Sequence, residues 1–123
     1  MSEKPVAERL QIKGARRLAV VDAPAGLEAI VGAADARAGA QEAEVVLLFV
    51  SDRVALDARL PPLLAEARDD AILWIAYPKL TSKLARDLNR DILHAASPDF
   101  GLTPVAQIAI DADWSALRMK RVG

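Results

Sequence analysis

Three short, uninterrupted apolar runs constrain this chain more than any other feature: residues 18–21 (LAVV), 45–50 (VVLLFV) and 71–77 (AILWIAY). A strand with one face in water alternates apolar and polar residues, whereas a run that is apolar at every position must be covered on both sides. Helical spacing fills the gaps between these runs. Asp52 can cap a helix whose buried stripe is Leu56, Leu60, Leu63, Leu64 and Ala67, with Pro61 and Pro62 expected to kink or divide it. After Pro78, Thr81 or Ser82 can cap a second helix carrying Leu84, Leu88, Ile92 and Ala95, ended by Ser97, Pro98 and Gly101. A weak strand is expected at 34–38. Residues 105–110 and 116–122 read as two further strands, joined by a connection too short for a helical crossover and therefore an antiparallel pair.

The predicted fold is α/β and Rossmann-like: a mostly parallel sheet with a C-terminal antiparallel strand and helices on both faces. At 123 residues one core fits, so residues 1–123 are expected to form a single domain. A composition of 53% hydrophobic against 27% charged residues supplies that core and excludes the disordered class.

Composition also removes chemistry. Without Cys there are no disulfides, thiolate nucleophiles or Cys-based metal sites, and the single His94 excludes multi-His centres. His94 falls late in the second predicted helix, where an imidazole meets the helix carboxyl end favourably, and no nucleophile accompanies it. A net charge of −1 gives no global field for nucleic acid or an anionic membrane, and neither partner is expected. No apolar run approaches the ~20 residues that span a bilayer. The first fourteen residues interleave charges with apolar residues, unlike a secretory signal, so a cytoplasmic location is expected.

In an open parallel sheet, ligand-binding side chains collect beyond the carboxyl ends of the strands. Asp22 and Gly26 follow the first strand, Ser51 the second, and Lys79, Thr81 and Ser82 the third. The turn bearing Asp113 and Trp114 emerges on the same edge. These eight residues are the ligand-binding candidates, and Lys79, Asp113 and Trp114 are expected to be neighbours. No catalytic residue or metal ligand is assigned, and no cofactor or oligomeric state is indicated. Lys79, Lys83, Arg86 and Arg90 recur at i, i+4, i+7 and i+11, a basic stripe if the segment is helical; a solvated face compensated by Asp87 and Asp91 accounts for it. Trp114 reads first as a hairpin cap packed on the core and second as a stacking platform.

The order of elements resembles the Rossmann-like fold of S-adenosylmethionine-dependent methyltransferases. VAERLQIKGARRLAVVDAPAG is similar to their leading helix, first strand and loop, AEVVLLFV to a central strand, and LPPLLAEARDDAILWIAYPK to the helix and strand that follow. More narrowly, DAPAG, VVLLFV, PKLTSKLARDL and DADWSALRMKR together resemble an uncharacterised bacterial family known only as a domain of unknown function. The methyltransferase resemblance implies a glycine-rich loop cradling the cofactor. Here Asp22 matches its acidic start, but Pro24 replaces the first glycine and Glu28 stands at the third, leaving Gly26. Proline offers no amide hydrogen, and Glu28 adds bulk and negative charge. The resemblance would place a ribose carboxylate near Asp35, a role that is not carried across to it. The expected function is therefore a noncatalytic domain binding a small ligand or a protein partner, with a divergent methyltransferase and an anion- or phosphate-binding module centred on Lys79 as alternatives.

Overall fold

The computed structural model describes residues 16–32 and 37–122. The methyltransferase-like leading helix, Asp35 and most of the weak strand at 34–38 lie outside them; Arg37 makes only an isolated parallel bridge to Leu18. Five strands form one sheet: β1 (Leu18–Val21), β2 (Val45–Phe49), β3 (Ile72–Pro78), β4 (Leu102–Ala109) and β5 (Trp114–Arg121), in the order β1-β2-β3-β5-β4. Among the described residues the helices are α1 (Leu27–Val31), α2 (Arg53–Glu66) and α3 (Arg90–Ala96), the last continued by a 3-10 turn, Ser97–Phe100.

The three apolar runs form adjacent parallel strands in the centre and at one side of the sheet, as their two-sided burial requires. The expectation of a mostly parallel Rossmann-like sheet is nevertheless overturned. β5 runs against both its neighbours, and its two antiparallel ladders hold six and seven residue pairs against four and five in the parallel ones. The sheet is mixed, because the C-terminal hairpin joins it beside β3, with β4 at the edge, and contributes more pairing than the parallel half.

A full helical layer on each face is not observed either. The two helices longer than one turn feed the same core: Leu56, Leu60 and Leu63 of α2 and Leu93 and Ala96 of α3 share one buried cluster with Leu48, Ile75, Tyr77, Leu117 and Met119. The opposite face gathers Leu47, Phe49, Trp74, Ala76, Trp114 and Ala116 and, among the described helices, receives only Leu27 and Val31 of α1. That helix is short for a local reason. Gly26 and Gly32 flank it with φ of +86° and +75°, left-handed conformations that glycine adopts without penalty and that do not continue an α-helix.

Two helix predictions are also corrected. α2 is one helix through Pro61 and Pro62 and is not divided there; both prolines lie on its exposed side, as do Asp57 and Ala58, whose carbonyls the prolines leave without an amide partner. Its start is the one expected, with the Asp52 carboxylate accepting from the Ala55 amide at 2.8 Å. The helix expected from Thr81 or Ser82 begins only at Arg90, where Asn89 caps it by accepting from the Ile92 amide at 3.0 Å. Residues 79–89 form a loop instead. Two of its capping-type side chains are committed to partners elsewhere: Ser82 bonds Asp113, and Asp87 accepts from the Arg53 amide at the start of α2. Lys79, Lys83, Arg86 and Arg90 therefore do not form a helical stripe, and Leu84, assigned to the buried face, is exposed.

Candidate functional site

The carboxyl ends of β1, β2 and β3 do share one edge with the β4–β5 turn. Pro78 pairs with Trp114 in register, and the Lys79 amide donates to the Asp113 carbonyl at 2.8 Å, so Lys79, Asp113 and Trp114 are neighbours as expected. The turn is held by Asp111, whose carboxylate accepts from the amides of Asp113 and Trp114 at 2.8 Å each. Asp111 and Asp113 thus act as turn residues.

The eight candidates do not converge on one point. Asp22 sits at φ +60° and is gripped by the Arg59 guanidinium of α2, with Nε–Oδ2 at 2.7 Å and Nη2–Oδ1 at 3.2 Å. Gly26 occupies the third position of a turn closed by the Leu27 amide on the Pro24 carbonyl, where a type II turn requires positive φ. A Cβ added there would meet nothing within 4 Å. The glycine is needed for its backbone angle and not for a close approach, so the loop has no packed cradle at that position. Ser51 borders a cavity of about 420 Å³ at the edge, together with Pro24, Leu84 and Trp114. Trp114 itself is 4% exposed and meets Phe49 edge-to-face, with centroids 5.2 Å apart at 71°, which makes it a core residue with one border on that cavity. Ser82 is spent on Asp113 and on the Leu84 amide, to which it is the acceptor at 3.0 Å.

Lys79 and Thr81 lie elsewhere, at the mouth of a groove on the sheet face that carries α2 and α3. Strand alternation puts Tyr77 and Ser115, directly paired, on this face, with Gln107 and Ala109 of β4 beside them. The start of α3 supplies the opposite wall with Arg90 and Asp91. The cavity measures about 580 Å³, within the range of small-molecule sites. It adjoins a second, of about 600 Å³, that shares Arg90, Asp91 and Gln107 and continues past His94 to Pro104. His94, in the last turn of α3, thus lies where the helix-end role places it and also borders the groove.

Tyr77 distinguishes this groove from the others. Its side chain lines the groove, yet the residue is 2% exposed and the phenol oxygen has no hydrogen-bond partner. Burial raises the phenol above its ordinary titration range, against the opposing influence of Arg90 and of the nearby Ser115 hydroxyl, which does not reach it in hydrogen-bonding geometry. The group is a protonated donor at neutral pH. Arg90 is engaged by its chain neighbour Asp91 at 3.3 Å, both side chains well exposed. Among the described residues there is no cluster of three or more potential metal ligands, and no helix is long and apolar enough to cross a membrane.

Sequence reasoning missed Tyr77, Gln107 and Ser115 as site residues. The available signal was a tyrosine closing an otherwise apolar strand, since a buried tyrosine ordinarily finds a partner for its hydroxyl. The chain matches no protein-family model and no curated protein.

Proposed function

We propose that this chain is a noncatalytic domain that binds a small ligand in the groove between α3 and the β4–β5 hairpin. The observation that carries the reading is the Tyr77 hydroxyl, buried without a partner beside a cavity of small-molecule size. An unmade buried hydrogen bond costs about 1–3 kcal/mol, which a ligand that accepts from the phenol recovers. A phenol is protonated at neutral pH and burial keeps this one so, which suits it to give a hydrogen bond to a ligand and not to act as a base.

The test is a fragment screen followed by amide chemical-shift mapping on the full chain. Perturbations are expected to centre on Tyr77, Arg90, Gln107 and Ser115, and to weaken in Tyr77→Phe. Fragments that map consistently to the edge cavity of Pro24, Ser51 and Trp114 would refute this placement. A second reading, a protein partner, has support from Leu80 and Leu84, which stand 70% and 47% exposed on the 79–89 loop. It predicts that Leu84→Glu, outside the groove, abolishes partner binding while leaving fragment binding in the groove intact.

A further inference from the structure

Resting on that assignment of the groove, we infer that its ligand presents an oxyanion, a carboxylate or a phosphate group, to Lys79 and Arg90, with the hydroxyls of Tyr77 and Ser115 as hydrogen-bond donors. The charges in the cavity favour this polarity. Two cations, Lys79 and Arg90, face a single carboxylate, Asp91, and that carboxylate is already taken by Arg90. Lys79 is partly buried and makes no ion pair with another described residue.

The neutral groups point the same way. The buried phenol is a donor without an acceptor among the described residues, Ser115 is buried beside it, and the exposed Gln107 amide can turn its NH2 inward. A cationic ligand would leave the phenol unpaired and meet two like charges. The Arg90–Asp91 contact joins two exposed neighbours in sequence, so Arg90 can turn toward a ligand while giving up only a weak surface pair. Leu80 and Ala109 offer apolar wall for a short hydrocarbon body. Of the residues proposed from the strand edge, Lys79 and Thr81 belong to this site, whereas Ser82 is withdrawn from it by Asp113.

The experiment titrates the full-length chain at constant ionic strength with inorganic phosphate, butyrate, butyramide and butylamine, following amide shifts. Phosphate or butyrate is expected to saturate at the groove, and which of the two binds more tightly identifies the kind of oxyanion. Butyramide and butylamine are expected to bind at least about tenfold more weakly, as the loss of charge-assisted hydrogen bonds implies. Lys79→Gln and Arg90→Gln should each weaken the anion about tenfold or more, Tyr77→Phe should weaken it without unfolding the chain, and Lys83→Gln, outside this cavity, should leave it unchanged. Equal losses in Lys79→Gln and Lys83→Gln would show a diffuse basic surface and overturn the inference. Butyramide or butylamine binding in the groove as well as butyrate would overturn the oxyanion and keep the groove. Absence of any probe, and of any fragment in the screen above, from the groove would overturn both.

Discussion

The Ser82 hydroxyl donates to the Asp113 carboxylate at 2.8 Å, joining the 79–89 loop to the β4–β5 turn across 31 residues of chain. The same serine accepts from the Leu84 amide, and the Asp113 carbonyl accepts from the Lys79 amide. The loop that carries Lys79 and Thr81 therefore depends on a hairpin formed by the last part of the chain.

Ser82→Ala should loosen that loop without unfolding the domain. Two exposed hydrogen bonds are lost, a cost of about 1 kcal/mol. Amide hydrogen exchange should accelerate at Leu84 and its neighbours and stay unchanged in β2 and β3. Uniform acceleration across the sheet would instead make Ser82 part of the global fold.

Trp114→Ala should be severe. The indole is buried and packs on Phe49 across the face opposite the groove, and removing a buried aromatic costs about 3–5 kcal/mol. Against a total stability of about 5–15 kcal/mol, that loss moves the urea midpoint far down, while Trp114→Phe keeps an aromatic contact and loses less. A stacking platform for a ligand would show the reverse pattern, with little change in stability.

The β-strands were legible because two-sided burial leaves an unmistakable trace: β1, β2 and β3 coincide with the apolar runs to within a residue or two. The antiparallel hairpin followed from the shortness of its connection, and the meeting of Lys79, Asp113 and Trp114 followed from the hairpin. What could not be read was tertiary competition for polar side chains. Ser82 and Asp87 are good helix-capping types, but Asp113 and the Arg53 amide claim them, so the apolar periodicity of 84–95 is realised only from Arg90 onward. Likewise, Asp22 begins a loop similar to a cofactor loop, and only the fold shows Arg59 occupying its carboxylate.

Asp22 combines an exposed ion pair with a left-handed backbone at φ +60°. Asp22→Gly loses the pair, worth less than about 1 kcal/mol at such exposure, but relieves the backbone. Asp22→Ala loses the pair and keeps an angle that costs an ordinary side chain about 1–2 kcal/mol. Equilibrium unfolding should therefore rank wild type and Asp22→Gly close together, with Asp22→Ala below both; an alanine variant as stable as the glycine variant would exclude the backbone contribution.

Glu44, at the opposite end of the strands, accepts from the Arg17 backbone amide at 2.8 Å and is flanked by the guanidinium groups of Arg17 and Arg68. The Arg17 amide chiefly, and then its side chain, lower the carboxyl from an ordinary 4.5 to about 2. The unfolded chain binds this proton more readily than the folded one, so the contribution of Glu44 is complete above pH about 4.5 and is lost as the pH falls toward about 2. The stability gap between wild type and Glu44→Gln, read from urea midpoints between pH 6 and 2, should narrow across that window. A gap that does not change with pH would mean that the carboxylate is not held ionised by Arg17.

Tyr77→Phe separates the cost of the groove from its use. For an ordinary buried tyrosine, removing the hydroxyl breaks a hydrogen bond and destabilises the fold. Here the oxygen has no partner, so the phenylalanine variant removes an unmet desolvation penalty and keeps the ring against Ile75 and Leu117. Without ligand its stability should equal or exceed that of wild type, by as much as about 1–2 kcal/mol. In calorimetry that gain raises Tm by several degrees for a domain of this size. A lower Tm for Tyr77→Phe would show that the phenol is satisfied in solution and would remove the basis for a ligand at Tyr77. A higher one would identify a hydroxyl that weakens the free protein and gains its partner only on binding.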